Sequence, residues 1–325
     1  MAKVVISHRL HDDGMAVLEK AGVDVVITNS GKPEDMLPEL IDADGVIIRI
    51  GSIDRETMLQ CPKLKVIGRP GVGVDDVDVE AATELGIPVV IAPGANTRSV
   101  AEHAMAMMFA CAKDMVRCDK EMRKGNFAIR SEYKAYELNG KTLGLIGCGH
   151  IGNILAQMAT GIGMKVLVYD PFVKAETVEA NGWGYREDMH DILKEADVIS
   201  IHTPLTPQTK NMIGEVELKM MKPTGILINC ARGGIVDEAA LCKALEENWI
   251  HSAATDVVVH EPINVDDPLF KYDNIIVTPH MAGQTKEAAS GVATMAAEGV
   301  VAVINGEKWA KVCNSKAYEH SRWNK

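Results

Sequence analysis

The chain has 325 residues, a formal net charge of −11, and a composition that is 47% hydrophobic and 24% charged. This length and balance predict an ordinary folded protein of about two domains and exclude a disordered or low-complexity chain. Aromatic residues are only 4% of the chain, and the aliphatic remainder suits parallel strands that are buried on both faces. The acidic charge argues against a nucleic-acid partner, because a phosphate backbone requires a basic surface.

The sequence also indicates a compartment. It has no uninterrupted run of 18 apolar residues, so we expect no membrane partner, and its start turns polar at Ser7, which is typical of a strand rather than a signal peptide. The seven cysteines are scattered and form no C-x-x-C pair, which predicts no metal site and free thiols in a reducing cytoplasm. Because the chain ends at Lys325, we expect no appended regulatory domain.

Short runs rich in Val and Ile alternate with amphipathic segments along the whole chain. In the first part they lie at 4–7, 23–28, 45–50, 64–68 and 88–92. In the second part they lie at 143–147, 165–169, 198–201, 225–230, 252–257 and 274–278. This alternation predicts an α/β protein with two doubly wound parallel sheets of five or six strands each.

Two long apolar helices mark the crossings between the two series of strands. Ser99 and Glu102 have the spacing of a capping box, which predicts that a helix begins at Ser99. Thr285 precedes the second long segment, and Gly306 is its predicted C-cap. The helix from Ser99 is a candidate for the contact in a homodimer; burial within its own domain is the alternative.

The pattern G-x-G-x-x-G occurs at Gly147, Gly149 and Gly152, directly after a predicted strand and before a predicted helix. Asp170 ends the next strand, 23 residues after the first glycine. Such a βαβ unit binds a dinucleotide: the glycines admit the pyrophosphate, the helix amides bind it, and the acid binds the ribose diol. A strand-to-helix turn without a ligand is the alternative. The charge of Asp170, with no arginine directly after it, favours NAD over NADP.

Three candidate catalytic residues follow strands of the second series: Arg232, Glu261 and His280. Reduction of a keto group needs a proton donor that titrates near neutrality, which a histidine beside a carboxylate provides. It also needs a fixed cation for an anionic substrate, and a guanidinium binds a carboxylate with two hydrogen bonds. Taken singly, each has another interpretation, as a surface histidine, a turn residue or a capping cation.

Several motifs occur in order along nearly the whole chain. They are GVGVDDVD (71–78), ANTRSVAEHAM (95–105), LNGKTLGLIGCGHIG (138–152), HTPLTPQT (202–209), INCARGGIVDE (228–238), Glu-Pro (261–262) and TPHMAG (278–283). With them the chain resembles the D-isomer-specific 2-hydroxyacid dehydrogenase family, which includes D-3-phosphoglycerate, glycerate/hydroxypyruvate and D-lactate dehydrogenases. The resemblance implies a Rossmann NAD-binding domain, 99–284, inserted into a flavodoxin-like substrate domain, 1–98 plus 285–325.

The resemblance also implies a role for individual residues. His280 would protonate the carbonyl oxygen as NADH gives hydride to C2, Glu261 would orient the imidazole, and Arg232 would bind the carboxylate. The implied substrate contacts are Arg49, Ser52, Arg69 and the backbone amides of Val72 and Gly73. The implied cofactor contacts are Thr97, Gly147, Gly149, His150, Ile151, Gly152, Asp170, Thr203, Pro204, Cys230, Ala231, Asp256 and Gly283.

We therefore predict an NAD-dependent dehydrogenase of a D-3-phosphoglycerate or glycerate/hydroxypyruvate-type acid, since small polar ends suit a pocket with Arg49, Ser52 and Arg69. Alternatives are another anionic 2-hydroxyacid (lactate-like, sulfonated or branched) or a non-enzymic NAD-sensing protein similar to the family's corepressors. Two positions depart from the family pattern. His150 stands where Arg or Asn is common, which would weaken NADH binding above neutrality, and Val258 stands where an aromatic residue is common.

Overall fold

The computed structural model describes residues 1–132 and 134–323 and divides into two compact units. The first domain consists of Met1–Asn96 together with Gln284–Lys325, and the second consists of Thr97–Gly283. The break before the second domain thus falls two residues earlier than the expected boundary at 98/99.

Twelve strands and twelve α-helices form within the described residues. The strands are β1 (Lys3–Ile6), β2 (Asp24–Ile27), β3 (Gly45–Ile47), β4 (Val66–Gly68), β5 (Val89–Val90), β6 (Thr142–Ile146), β7 (Lys165–Tyr169), β8 (Gly184–Tyr185), β9 (Val198–Ile201), β10 (Ile226–Asn229), β11 (Ser252–Thr255) and β12 (Ile275–Val277). The helices are α1 (Asp12–Lys20), α2 (Pro33–Leu40), α3 (Arg55–Leu59), α4 (Val79–Glu84), α5 (Thr97–Ala112), α6 (Met115–Arg123), α7 (His150–Gly161), α8 (Ala175–Glu179), α9 (Met189–Glu195), α10 (Glu215–Met220), α11 (Glu238–Glu246) and α12 (Lys286–Ile304). Short 3-10 segments lie at Phe127–Glu132, Pro268–Lys271, Ser315–Glu319 and Ser321–Trp323.

The first domain is built on one parallel sheet with the order β2-β1-β3-β4-β5, which is the flavodoxin-like order. Alternate residues of β1 point to opposite faces, and both faces are covered. Val4 and Ile6 belong to a core that includes residues of α1 and α12, whereas Val5 belongs to a core that includes residues of α2 and α4. The strand order reverses between β1 and β3, so the carboxyl ends of these two strands border the crevice where such sheets bind ligands.

Helix α12 is the central helix of the first domain. By length and composition alone it is, among the described residues, the single helix long and apolar enough to cross a membrane, although Glu298 interrupts its apolar stretch. In the structure it packs on β3, β4 and α1, and Ala297, Val300 and Val303 lie in the core. Gly14 allows the close approach of α1, because a Cβ there would lie 2.8 Å from the Cβ of Ala293. We read α12 as a core helix on this packing.

The segment after α12 is tied to the edge strand β5. Val312 forms an antiparallel bridge with Val90, and the buried Asn314 accepts a hydrogen bond from the Val89 amide. The Asn314 side-chain amide also donates to the Ile87 carbonyl at 3.0 Å. These contacts join the last part of the described chain to the first domain.

The second domain is built on a parallel sheet with the order β12-β11-β10-β9-β6-β7-β8. Counted within the domain, this is the Rossmann order 3-2-1-4-5-6 with a seventh strand, and the order reverses between β6 and β9. The predicted fold class is therefore confirmed. Strand β8 was not predicted from the sequence, because it has two residues, one of them a glycine, and no apolar run.

The start of α5 differs from its prediction. The helix begins at Thr97 rather than Ser99, and Glu102 pairs with the Arg98 guanidinium at 2.6 Å instead of completing a capping box. Nine residues of α5 are buried, and the helix packs on α7, β10 and β11 of its own domain. The apolar side of α5 is thus buried within its own domain, which was the alternative to a homodimer contact.

Candidate functional site

The turn between β6 and α7 has a conformation that needs its glycines. Gly147 has φ +97°, and a Cβ there would lie 2.6 Å from the His202 carbonyl oxygen. A Cβ on Gly152 would lie 2.4 Å from the carbonyl oxygen of Gly147, so this glycine allows the helix to approach the strand. A Cβ on Gly149 would meet nothing within 4 Å. Gly149 is the N-cap of α7 and supplies no side chain to the helix amides, so an anion can approach them there.

Asp170 lies directly after β7 and is buried. Its Oδ2 accepts the Cys148 amide at 2.8 Å, and its Oδ1 accepts the Phe172 amide at 2.8 Å. The carboxylate therefore fixes the glycine turn to the end of the neighbouring strand, a role that sequence reasoning did not foresee. Each carboxylate oxygen has a second lone pair, so the group can still accept hydrogen bonds from a ribose diol.

Two buried polar groups follow β9, the strand next to β6, and so lie beside the glycine turn. The Thr203 hydroxyl is buried with no hydrogen-bond partner among the described residues, and so is Nδ1 of His202. The other ring nitrogen of His202 lies 2.9 Å from the Ser200 hydroxyl. Burial lowers the pKa of His202 to about 4, so the ring is neutral at pH 7. An unpartnered buried hydroxyl beside a dinucleotide turn fits a site that a ligand completes.

The loop after β10 carries Arg232 and is held by Asn229. The Asn229 Oδ1 accepts the Ala231 amide at 3.0 Å, and its Nδ2 donates to the Arg232 carbonyl at 3.0 Å. The Arg232 guanidinium in turn donates to the Ala231 carbonyl at 2.8 Å. Cys230, an expected cofactor contact, is buried in the core, and its burial raises the pKa of the thiol. Asn229 was missed because an Asn at the end of a strand has many uses.

A close backbone contact joins this loop to the loop after β11. A Cβ on Gly233 would lie 2.1 Å from the Val258 carbonyl oxygen, so the two loops meet at a position that only glycine allows. The Val258 amide donates to Oε1 of Glu261 at 3.1 Å. The loop of Arg232 is thus fixed against the loop that positions Glu261.

Asp256 organises the loop that follows β12. The residue is almost fully buried, and its carboxylate accepts the Met281 amide at 2.9 Å and the Ala282 amide at 2.8 Å. It also accepts the Thr278 hydroxyl at 2.5 Å, and its carbonyl accepts the His280 amide at 2.8 Å. Asp256 was predicted as a cofactor contact; in the structure its carboxylate binds the Thr278 hydroxyl before His280 and two backbone amides after it.

His280 and Glu261 form a pair. Nδ1 of His280 lies 2.7 Å from Oε2 of Glu261, and about half of the histidine side chain is exposed. His280 has φ +52°, an uncommon conformation for a residue other than glycine, which the hydrogen bonds around Asp256 maintain. Because Nδ1 is engaged by the carboxylate, Nε2 is the nitrogen that remains for a ligand.

In the first domain, Arg49 and Ser52 lie on the loop after β3. The buried hydroxyl of Ser7, at the end of β1, accepts the Arg49 amide at 3.0 Å. The Ser52 amide donates to the Gly31 carbonyl at 3.0 Å. A Cβ on Gly31 would lie 1.8 Å from the Ile50 carbonyl oxygen, so the loops after β2 and β3 are pressed together. Ser7, which sequence reasoning missed, therefore fixes the backbone of Arg49.

Arg69, after β4, has its guanidinium engaged within the first domain. Nη1 donates to the Ile48 carbonyl at 2.6 Å, Nε donates to the Gly73 carbonyl at 3.2 Å, and Nη2 pairs with Asp76 at 3.0 Å. Arg69 thus holds the loop that presents Val72 and Gly73 to solvent. The substrate contact expected of this side chain stays a prediction.

The other predicted contacts occupy ends of elements in the second domain. Thr97 is buried in the first turn of α5, and Gly283 is the last residue of the domain. His150 is the exposed first residue of α7, followed by the partly buried Ile151. Pro204 lies in the loop after β9, where its carbonyl accepts the Thr209 hydroxyl.

The second domain therefore defines a class: an α/β protein with a dinucleotide-binding turn and a histidine–carboxylate pair after two neighbouring strands. Residues 105–282 match the family model described as the NAD binding domain of D-isomer specific 2-hydroxyacid dehydrogenases. The chain belongs to this family, and the resemblance seen in its motifs is confirmed.

Individual relatives cover nearly the whole chain. A D-3-phosphoglycerate dehydrogenase of Methanocaldococcus jannaschii is 42% identical over 97% of this chain, which spans 60% of that relative's length. A glyoxylate reductase of Thermococcus litoralis is 39% identical, with 94% of each chain covered. A crystal structure of Lactobacillus jensenii D-lactate dehydrogenase with NAD+ superposes with a TM-score of 0.80 at 32% identity, covering 95% of this chain and 99% of that chain.

Proposed function

We propose that the protein interconverts a small D-2-hydroxyacid and its 2-keto acid with NAD as the hydride carrier. The substrate class we propose is the D-3-phosphoglycerate or glycerate/hydroxypyruvate type. The observation that supports an enzyme most strongly is the 2.7 Å contact between His280 and Glu261 in a domain of the NAD-binding type. A proton donor and a hydride carrier in one domain are what reduction of a keto acid requires.

The residues of the second domain fit the dinucleotide. The open approach at Gly149 and the uncapped amides of α7 suit a pyrophosphate, and the unpartnered Thr203 hydroxyl offers a further hydrogen bond. Asp170 suits a ribose diol and disfavours a 2′-phosphate, which would meet its negative charge; this supports NAD over NADP. When bound, the reduced nicotinamide supplies the hydride to the keto carbon.

Three side chains of the second domain carry out proton transfer and substrate binding. His280, as the imidazolium, donates the proton on Nε2 to the carbonyl oxygen, because Nδ1 is directed at Glu261. The Glu261 carboxylate fixes the ring orientation and stabilises the positive charge of the imidazolium. Arg232 binds the substrate carboxylate and polarises the keto group. In the direction of oxidation, neutral His280 accepts the same proton from the hydroxyl.

The test is the loss of absorbance at 340 nm when the protein is mixed with NADH and single 2-keto acids. The panel is phosphohydroxypyruvate, hydroxypyruvate, glyoxylate, pyruvate and a branched keto acid. We expect turnover of the first two to be fastest. Tight NADH binding without turnover of any member would refute the enzyme and favour a protein that only senses the dinucleotide.

We further propose a homodimer, but not through α5 as its principal contact. Helix α6 has no buried residue, although Met115, Val116 and Met122 are apolar and exposed. Phe127, in the following 3-10 segment, is exposed as well, so this stretch exposes four apolar side chains among charged ones. Light scattering after size exclusion should give twice the chain mass, and a Met122→Ser/Phe127→Ser variant should give a monomer. A parent protein of single-chain mass would refute the dimer.

We also propose that the protein works in the cytoplasm. The support is its cysteine chemistry: all seven are free, and burial raises the pKa of most of them, including Cys61 and Cys111. Unpaired thiols persist in a reducing compartment. Cell fractionation with an antibody to the protein tests this proposal, and recovery in the membrane fraction would contradict it.

A further inference from the structure

A second histidine of the same domain lies next to the loop that carries His280. His103 is on α5, and its side chain is 20% exposed. Its Nε2 lies 3.2 Å from the hydroxyl oxygen of Thr278, the residue after β12, and 3.6 Å from Oδ1 of Asp256. His103 has no part in the mechanism proposed above, so its place beside these two groups calls for an explanation.

The direction of these hydrogen bonds follows from their donors and acceptors. The Thr278 hydroxyl lies 2.5 Å from Oδ1 of Asp256, and a carboxylate only accepts, so the hydroxyl proton points at Asp256. Towards His103, the Thr278 oxygen can then only accept. Nε2 of His103 therefore carries a hydrogen, and two successive hydrogen bonds connect His103 through Thr278 to Asp256.

The last group of this series, Asp256, supports the backbone of His280. Its carboxylate also accepts the amides of Met281 and Ala282, and its carbonyl accepts the His280 amide at 2.8 Å. These bonds accompany the φ of +52° at His280, whose Nδ1 meets Glu261. The Asp256 side chain is 1% exposed, so a hydroxyl that turned away would leave a buried carboxylate short of a donor.

His103 controls the rotation of the Thr278 hydroxyl. A hydroxyl turns about its C–O bond, and the hydrogen bond from His103 occupies one lone pair while the proton stays directed at Asp256. Hydrogen bonds in such a series strengthen one another in a buried environment. The contact also connects α5 to the loop after β12, two segments that are 175 residues apart in sequence.

We propose that His103 is a positioning residue for proton transfer by His280. It donates from Nε2 to Thr278, which keeps the hydroxyl on Asp256 and the His280 backbone in the orientation in which Nδ1 meets Glu261. The effect on the reaction is one of orientation, and a misplacement of about 1 Å at a reacting group lowers a rate by up to about 10²-fold. This inference rests on the proposed function.

The experiment measures kcat and KM with NADH and the best keto acid of the panel in three variants of His103. Leucine has no donor, and asparagine is too short to bring its amide to Thr278, whereas glutamine places an amide nitrogen near the position of Nε2. We expect kcat to fall about tenfold in His103→Leu and in His103→Asn. KM and the Kd for NADH should stay within about twofold, because the loop of Arg232 and the glycine turn are unchanged. His103→Gln should keep about half of the parent kcat or more.

His251→Leu is the matched control for the loss of a histidine. His251 directly precedes β11, at the end opposite Asp256, and is partly buried, with Nδ1 3.0 Å from the Ser252 hydroxyl. The control therefore removes a histidine–hydroxyl contact of the same kind, away from the loop of His280. Its kcat should equal the parent value, even where its urea midpoint falls as far as that of His103→Leu.

A double-variant cycle tests the series of hydrogen bonds itself. Thr278→Val keeps the branched shape and removes the hydroxyl, so kcat should fall at least as far as in His103→Leu. Because both changes act through the same hydrogen bond, His103→Leu/Thr278→Val should lose no more activity than Thr278→Val alone. If His103→Leu does not fold, His103→Asn replaces it in the cycle.

The failures of the two proposals are distinguishable. If the parent turns over a keto acid, three results would each overturn the positioning role alone: a parent kcat in His103→Leu and His103→Asn, a kcat in His103→Gln as low as theirs, or losses that multiply in the double variant. If the parent protein reduces none of the keto acids, the proposed function fails, and the positioning role fails with it.

Discussion

Protonation of His202 should destabilise the protein in acid. Its Nδ1 is buried without a partner among the described residues, its Nε2 faces the Ser200 hydroxyl at 2.9 Å, and burial lowers the pKa from 6.5 to about 4. The unfolded chain therefore binds a proton at a pH at which the folded protein does not. The stabilisation is fully present above pH 6.5 and is lost as the pH falls from 6.5 towards 4. From these two pKa values, the loss is about 2 kcal/mol between pH 7 and pH 5 and about 3 kcal/mol by pH 4.

Urea unfolding at pH 7 and pH 5 measures this loss. Carboxylates titrate in both proteins, so the comparison of the parent with His202→Gln isolates the histidine; glutamine cannot be protonated and retains an amide for Ser200. The parent should lose about 2 kcal/mol more than the variant. The control Ser200→Ala keeps the histidine and should keep the parent's pH dependence. Equal losses in the parent and in His202→Gln would refute the reasoning.

Three further predictions concern the site. Gly149→Ala should fold normally yet weaken NADH binding at least tenfold in a fluorescence titration. Gly152→Ala should lower the free energy of unfolding by about 1–3 kcal/mol, because its Cβ meets a backbone oxygen. The reverse pattern would contradict the assignment of the two glycines. Glu261→Gln should lower kcat about 10²-fold with NADH affinity unchanged, since the imidazolium loses its counter-charge; a parent-like kcat would exclude that role. Asp256→Asn should lower the free energy of unfolding by about 1–3 kcal/mol. The asparagine side chain has a single oxygen, so it cannot accept both the Met281 amide and the Ala282 amide as the two carboxylate oxygens do. Unfolding at the parent urea midpoint would contradict this.

The strands and the glycine turn could be predicted because their physics is local. A parallel strand buried on both faces is a short run of mostly apolar residues, as in 198–201, so it can be recognised without knowing which strands lie beside it. β8 lacked this signal, since it has two residues and a single ladder on β7. The helix start at Thr97 was missed because Glu102 found Arg98 as its partner, which the capping-box spacing does not reveal.

Much of the site depends on contacts between distant segments. Ser7, Asn229 and Asp256 each accept or donate several hydrogen bonds that shape a loop, and their roles follow from which amides the fold brings near them. Arg69 shows the same limit: its sequence position predicted a cation at the sheet edge, but carbonyls of β3 and of its own loop decide where the guanidinium lies. A sequence motif predicts which residue type occupies a site, but the surrounding backbone determines which groups that residue hydrogen bonds with.

The central claim is that His280 transfers the proton of the reaction, and one variant tests it most directly. His280→Asn removes the group that can be protonated, while its side chain can still hydrogen bond with Glu261. With NADH and the best keto acid of the panel, kcat should fall by about 10²–10⁴-fold, while the Kd for NADH stays within a factor of about two, since no residue of the glycine turn has changed. A variant that turns over at the parent rate would contradict the account.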